Sequence, residues 1–267
     1  MDMTDTTIEL LEKIRKKSPL VHNITNFVVM NPTANILLAI GASPVMAHSR
    51  KEVADMVAMA GALVLNIGTL TEKWIEAMLL AGKAANQRGI PVILDPVGAG
   101  ATGYRTCAVK HILGEVNISV IRGNASEVLS LAVDDVKTKG VDSSLSLSDE
   151  IVAAAGAIAR QHTCIVAISG EKDNITDGTR TLRVANGVPL MTRVTGLGCG
   201  LSAVAGAFCS VARDDLLAAT AAAFGFYGLC GELALAASDR PGSFFVAFLD
   251  SLYSAGSNEI HKHLMVN

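Results

Sequence analysis

Four short apolar runs, each closing on small or polar residues, recur along the chain: ALVLNIG at 62–68, PVILDPVGAG at 91–100, ISVIRGN at 118–124 and TCIVAISGE at 163–171. Runs of this length without polar alternation are the pattern of strands buried on both faces. Between them stand longer stretches of helical character, TEKWIEAMLLAGKAANQRG at 71–89, TCAVKHILGEV at 106–116 and SDEIVAAAGAIARQH at 148–162, the last with Ser148 as its expected cap. Parallel strands cannot be joined by tight turns, so helices must cross over between them and cover the sheet. The prediction is an α/β fold with a mostly parallel central sheet and helices on both faces. DNITDG and TLRVANG, turning at Asp177 and Gly178, add an expected hairpin at one sheet edge, and three helical stretches are expected from Gly200 to the end.

Half of the 267 residues are hydrophobic and the net charge is −3, enough apolar content for a core in a single domain spanning 1–267. No basic stripe marks a nucleic-acid partner. The opening MDMTDTTIELLEKIRKKSPL is charged and helix-patterned, unlike a secretory leader, and points to a cytoplasmic protein. Cys107, Cys164, Cys199, Cys209 and Cys230 form no CxxC pair or metal-ligand spacing, so reduced thiols are expected. LLAATAAAFGFYGLC at 216–230, bracketed by Asp214, Asp215 and Glu232, is too short for a membrane span and reads as a buried helix. In a cytoplasmic chain the four Asn-X-Ser/Thr matches, at Asn23, Asn117, Asn124 and Asn174, carry no meaning. GVDSSLSLSD at 140–149 is the most polar stretch and the one expected to be most mobile.

In open parallel sheets ligands bind beyond the carboxyl ends of the strands. Here those ends hold Asn66, Gly68, Asp95, Arg122, Asn124, Ser169 and Glu171. A guanidinium at Arg122 suits phosphate oxygens, and two carboxylates from neighbouring strand ends, Asp95 and Glu127, suit a magnesium ion that keeps several waters. Each has a plainer reading: Asp95 as a turn cap, Glu127 as a carboxylate against a helix dipole, Arg122 as a surface charge. Within SPLVHNITNFVVMNPTAN at 18–35, His22 reads as a buried hydrogen-bonding residue and Asn26 as a candidate ligand donor; Met46 taken alone reads as core packing. GAGATG at 98–103 matches GxGxxG, but it sits mid-chain and Pro96 interrupts the approach, so a dinucleotide oxidoreductase ranks last; a GxxxxGK[ST] phosphate loop is absent.

VTGLGCGLSAVAGAF at 194–208 reads as a glycine-rich loop opening an apolar helix. Such a junction aims unsatisfied N–H groups and the positive end of the helix dipole at whatever lies in front, which favours an anion, with Cys199 beside it. The plainer reading of Cys199 is a small buried hydrophobe.

Taken together the motifs resemble those of the hydroxyethylthiazole kinases, within the ribokinase-like superfamily: SPLVHNITNFVV with NPTANILLAIGASPVM, then NIGTL, LDPVGAGAT, IRGNASE, AISGEKDNITDG and VTGLGCGLSAV, in that order over nearly the whole chain. The resemblance implies a three-layer α/β/α ribokinase-like fold and transfer of the γ-phosphate of ATP, with Mg²⁺, to the hydroxyl of 4-methyl-5-(2-hydroxyethyl)thiazole in thiamine biosynthesis or salvage. It further implies ATP contacts at Arg122, Ser169 and Asn26, magnesium at Asp95 and Glu127, directly or through water, and thiazole contacts at Met46 and Gly196. A homotrimer with the thiazole site between subunits is also implied. Cys199 then stands where many superfamily relatives carry an aspartate base. A thiol is a poor base at neutral pH unless a helix terminus lowers its pKa, so the main-chain amides of Gly196, Leu197, Gly198 and Cys199 are expected to act as the anion hole while Cys199 positions the hydroxyl, with acceptance of its proton left open as a second role. Leu197 stands where many relatives have threonine, and Ser169 keeps a hydroxyl where threonine is common. Alternatives are a kinase for another small alcohol such as hydroxymethylpyrimidine, and a nucleotide- or thiazole-binding protein without catalysis.

Overall fold

A computed structural model of the chain describes residues 2–132 and 147–267. Among these, eight strands form one sheet in the order β2-β1-β3-β4-β5-β6-β7-β8. They are β1 (Leu20–Ile24), β2 (Ser43–Val45), β3 (Ala62–Asn66), β4 (Val92–Asp95), β5 (Val120–Asn124), β6 (Ile165–Ser169), β7 (Asp173–Thr176) and β8 (Thr181–Val184). The first six run parallel; β7 and β8 are antiparallel and make the hairpin at the edge. The expected mostly parallel sheet and its terminal hairpin are both present. The chain's own carboxyl terminus closes that edge: the amide of Arg183 donates to the Asn267 carbonyl at 2.7 Å and the amide of Asn267 to the Arg183 carbonyl at 2.9 Å.

Alternate residues of each central strand feed two separate cores. Val21, Val64, Ile93, Val120, Ile165 and Ala167 pack against α1 (Met3–Lys17), α2 (Met30–Ala39), α8 (Leu197–Val211), α9 (Leu216–Ala237) and α10 (Pro241–Ser254). Leu63, Leu65, Val92, Leu94, Ile121, Val166 and Ile168 pack on the other face against α3 (Val53–Met59), α4 (Glu72–Arg88), α5 (Gly103–Glu115), α6 (Ala125–Leu129) and α7 (Leu147–His162). This is why the strands read as continuous apolar runs: both faces are dry, so neither set of side chains can be polar. Helices on both faces of one sheet give the three layers expected from the sequence.

Local signals set the helix ends. Thr71 caps α4 through its side chain, accepting from the Trp74 amide at 3.3 Å, and Gly89 ends it with φ 63° in the left-handed region that favours glycine. Two expectations need correction. Helix α7 begins at Leu147, which puts Ser148 inside its first turn rather than at the cap before it. Four helices rather than three follow Gly196, because the apolar stretch after Ser238 is cut at Ala255 and Gly256 into α10 and the short α11 (Ser257–His263). Up to residue 146, the polar stretch at 140–149 lies outside the described residues. Helix α9 is long and apolar enough to cross a membrane by length and composition alone, but 78% of its apolar window is buried inside the protein.

Helix α8 decides where the site falls. Gly206 brings it so close to the sheet that an added Cβ would meet Val64 Cγ2 at 3.1 Å, while Ser202, one turn earlier, bonds Asp95 at the end of β4. The helix therefore runs antiparallel to β3 and β4 and opens its first turn over their carboxyl ends.

Candidate functional site

The sheet register brings the polar strand ends side by side. Asn66 pairs with Asp95 across β3 and β4, and Asn124 with Ser169 across β5 and β6. Asp95 is 1% exposed. Its Oδ2 accepts from Asn66 Nδ2 and from Ser202 Oγ, both at 2.8 Å, and lies 4.0 Å from Arg122 Nη1. Its Oδ1 has no partner although it is buried. An ionised carboxylate in such surroundings is poorly solvated, and burial accordingly raises the Asp95 pKa against the opposing pull of Arg122, Ser202 and Asn66. The open lone pairs of Oδ1 are what a cation or a bound water would satisfy.

Arg122, 9% exposed, donates from Nη2 to Ser169 Oγ at 2.8 Å, and its Nε is an unpaired buried donor. Glu127 forms a capping box with Asn124: its Oε2 accepts the Asn124 amide at 2.9 Å while Asn124 Oδ1 accepts the Glu127 amide at the same distance. Its Oε1 accepts the Gly98 amide at 2.8 Å. Both carboxylate oxygens are thus engaged with backbone, so the plainer reading of Glu127 as a helix-end carboxylate holds, and any metal contact must use its remaining lone pairs. With one open oxygen on Asp95 and a second carboxylate on the adjoining turn, the donor set fits magnesium, which keeps most of its waters, and does not fit a cation that demands an all-protein cage.

Asn26, just past β1, donates from Nδ2 to Asn66 Oδ1 at 2.8 Å and reaches Cys199 Sγ at 3.7 Å. Its Oδ1 accepts the Val28 amide at 3.1 Å. Cys199, Asn26, Asn66, Asp95 and Ser202 therefore form one polar chain, tied by the Asp95 carboxylate to the Arg122 and Ser169 pair. Gly196, with φ 91°, turns the chain into α8. The amides of Leu197, Gly198 and Cys199 precede the first intrahelical bond, which runs from the Gly200 amide to the Gly196 carbonyl at 2.8 Å, and no side chain caps them. Gly198 lets the Arg122 guanidinium lie against this turn, since a Cβ there would meet Nη1 at 3.2 Å. Tyr227, fully buried on α9, holds the turn from behind by donating its hydroxyl to the Leu197 carbonyl at 2.8 Å.

The Cys199 thiol is not acidified. Burial and the neighbouring Asp95 charge push its pKa up to about 12, and contacts with Asn66, Arg122 and Asn26 only partly oppose them. It stands as a neutral thiol that orients a neighbour rather than as a resting thiolate. The Leu197 side chain is 2% exposed and packs in the core, so a hydroxyl at that position would sit in the same buried side-chain place. Met46 stands one residue past β2 on the same edge of the sheet, outside the hydrogen-bonded cluster. His22 Nε2 meets the carbonyl of its neighbour Ala47 at 2.8 Å, with the ring completely buried, as expected of a core hydrogen-bonding residue. Two surface cavities lie elsewhere: one of about 560 Å³ at the amino ends of the strands, beside Pro91, Ser119 and Ile165, and one of about 650 Å³ beside His48, Lys51 and Lys73.

Sequence reasoning placed Asn66 at a strand end without a role and missed Ser202 and Tyr227. Ser202 had a signal, being a polar residue one helical turn after Cys199 in a largely apolar helix; Tyr227, inside a long apolar segment, had none.

Comparison with known proteins gives this geometry its context. Residues 11–258 match the model of the hydroxyethylthiazole kinase family. The chain belongs to that family. A hydroxyethylthiazole kinase from Desulfosudis oleivorans is 55% identical over 267 residues, covering 99% of this chain and 97% of that one. The solved hydroxyethylthiazole kinase of Pyrococcus horikoshii OT3 superposes with a TM-score of 0.90 at 42% identity, over 98% of both chains. A ribokinase-like superfamily protein from Enterococcus faecalis, at 13% identity and a TM-score of 0.66, covering 93% of this chain and 95% of that one, shares the fold.

Proposed function

We propose that the chain, as one kinase unit, transfers the γ-phosphoryl group of ATP to the hydroxyl of 4-methyl-5-(2-hydroxyethyl)thiazole, in the cytoplasm, in thiamine biosynthesis or salvage. The observation that carries the proposal is the uncapped first turn of α8, whose amides face the same cluster as Arg122, Asp95 and Cys199. Arg122 and Ser169 hold the nucleotide, and Asn26 donates to its phosphates. Asp95 would hold magnesium, with Glu127 as the second carboxylate, directly or through water; when bound, the ion would offset the charge on the phosphate oxygens. The amides of Gly196, Leu197, Gly198 and Cys199 receive the phosphoryl group in transit, and their fixed direction requires no reorganisation as charge develops. Met46 and Gly196 contact the thiazole. Cys199 Sγ orients the alcohol and stays protonated; as the new O–P bond forms, the bond between the γ-phosphorus and the ADP oxygen breaks, ADP leaves, and the alcohol proton departs late, to a phosphoryl oxygen or to water. A loose transition state needs little base assistance.

The apolar residues that follow Asn26 support a homotrimer with the substrate site between copies: Phe27 is 63% and Val28 62% exposed at the rim of the mouth, surface that a second copy would cover. Light scattering of the purified protein tests this, and a monomer at micromolar concentration refutes it.

With Mg²⁺ and ATP, ADP should form only when the thiazole alcohol is present. Equal ADP release without it, or faster turnover of hydroxymethylpyrimidine in a side-by-side panel, overturns the assignment. A binding protein without catalysis is the other outcome of the same experiment, and calorimetric binding of both ligands with no phosphorylated product would establish it.

A further inference from the structure

We infer that Arg105 is a positioning residue for phosphoryl transfer, a clamp that sets the spacing of the loops carrying Asn66 and Asp95. Arg105 lies in the first turn of α5, and its guanidinium is directed at backbone carbonyls. Nη1 donates to the Ile67 carbonyl at 3.0 Å and to the Val97 carbonyl at 2.6 Å, and Nη2 to the Gly68 carbonyl at 2.7 Å. Ile67 and Gly68 directly follow Asn66; Val97 stands two residues beyond Asp95.

The clamp reaches further through the glycines. The Gly68 amide donates to Asn66 Oδ1 at 3.0 Å, and Gly68 lies so close to Asn26 that an added Cβ would meet its Nδ2 at 2.5 Å. Gly98, with φ 73°, packs against the Arg105 side chain and gives its amide to Glu127 Oε1. One side chain thus joins the loop after β3 to the loop after β4, and through Gly98 to the turn after β5. Planar guanidinium has donors fixed in a fork, so it can hold two loops at one separation; a lysine ammonium, with a single nitrogen on a flexible stem, cannot reproduce that geometry. A displacement of these loops by even a fraction of the site's width moves Asp95 and Asn26 relative to the α8 amides, and misplacement of about 1 Å can cost on the order of 100-fold in rate.

This role rests on the kinase reading above, so the experiment separates the two. Arg105→Ala and Arg105→Lys are compared with the unaltered protein for kcat, for KM of ATP and of the thiazole alcohol, for thermal midpoint, and for hydrogen exchange at the Gly68 and Gly98 amides. The expected result is a kcat lowered roughly 10-fold to 100-fold in Arg105→Ala with a smaller change in KM for ATP, partial recovery in Arg105→Lys, and restoration of Arg105→Ala turnover by guanidinium ion at sub-denaturing concentration but not by methylammonium. Exchange at Gly68 and Gly98 should quicken in Arg105→Ala. If that variant does not fold, Arg105→Lys carries the same measurements. The clamp is overturned by a kcat within twofold of the unaltered protein, by losses that the unfolded fraction alone accounts for, or by unchanged exchange at both amides, the last result standing whatever the turnover. Absence of turnover in the unaltered protein overturns the kinase reading instead, and the exchange measurement still decides the clamp.

Discussion

The pH dependence of turnover will distinguish a thiol that orients from one that takes a proton. With its pKa pushed up from the ordinary 9.0 to about 12 by burial and by Asp95, Cys199 carries at neutral pH a thiolate fraction on the order of 1,000-fold below that of an ordinary thiol, or about 4 kcal/mol at ~1.4 kcal/mol per pH unit. If the reaction needed the thiolate, kcat/KM would climb about tenfold for every pH unit between ~7.5 and ~9.5, because the reactive fraction would. The structure predicts a flat profile over that window. It also predicts that iodoacetamide labels Cys199 far more slowly than an ordinary thiol, measured in a Cys107→Ser background because Cys107 is exposed while Cys164, Cys209 and Cys230 are buried. Cys199→Ala should then lower kcat no more than about tenfold, the cost of losing an orienting contact rather than a full general base. In Cys199→Asp the new carboxyl would sit beside Asp95, whose charge raises its pKa toward neutrality; turnover should equal or exceed that of the parent and acquire an acid limb. A slope of one in the parent profile, with fast alkylation of Cys199 at neutral pH, would refute the reasoning.

Three further outcomes follow from particular contacts. Gly198→Ala puts a Cβ 3.2 Å from Arg122 Nη1, so KM for ATP should rise several-fold while stability, measured by urea unfolding, changes by no more than ~1 kcal/mol because alanine favours the helix. Ser202→Ala removes one of two donors to the buried Asp95 Oδ2 and should cost about 1–3 kcal/mol in the same assay; a change under ~0.5 kcal/mol would mean the bond contributes nothing net. His22 is buried and its pKa is lowered from the ordinary 6.5, burial outweighing the Ala47 hydrogen bond. Above pH 6.5 the ring is neutral in both states; below it the unfolded chain takes up a proton that the folded chain refuses, so stability should fall on acidification until the folded-state value is reached. Urea midpoints on either side of pH 6.5 should therefore shift less in His22→Gln than in the parent, and equal shifts would remove His22 from the acid response.

Much of the architecture was legible because both faces of β3, β4, β5 and β6 are dry. A strand in that position must be apolar at every residue, and a parallel neighbour must be reached through a helix, so the run-and-helix alternation leaves one fold class open. The glycine-rich start of α8 was legible for a similar reason: a residue at φ 91° before an uncapped helix has to be glycine or nearly so. Strand β1 escaped notice because it buries two polar residues, His22, whose partner Ala47 lies in another segment, and Asn23, which donates to the Val21 carbonyl of its own strand, and β2 is only three residues long. Local pattern carries no record of such partners.

The roles within the site were decided by tertiary contact. Glu127 reads in sequence either as a magnesium carboxylate or as one set against a helix dipole, and only the fold shows both of its oxygens bonded to backbone amides, one of them at Gly98 in another loop. Ser202 meets Asp95 across 107 residues of chain, and the ionisation of Cys199 follows from burial together with that same aspartate. What the sequence determined by itself is the four central strands and the edge hairpin, the mouth at their carboxyl edge and the residue types gathered there, because strand burial and backbone conformation act over a few neighbouring residues. Which oxygen of Asp95 stays open and whether Cys199 can release a proton were settled only in the folded chain, because both depend on charges and hydrogen-bond donors that distant segments bring within a few ångströms.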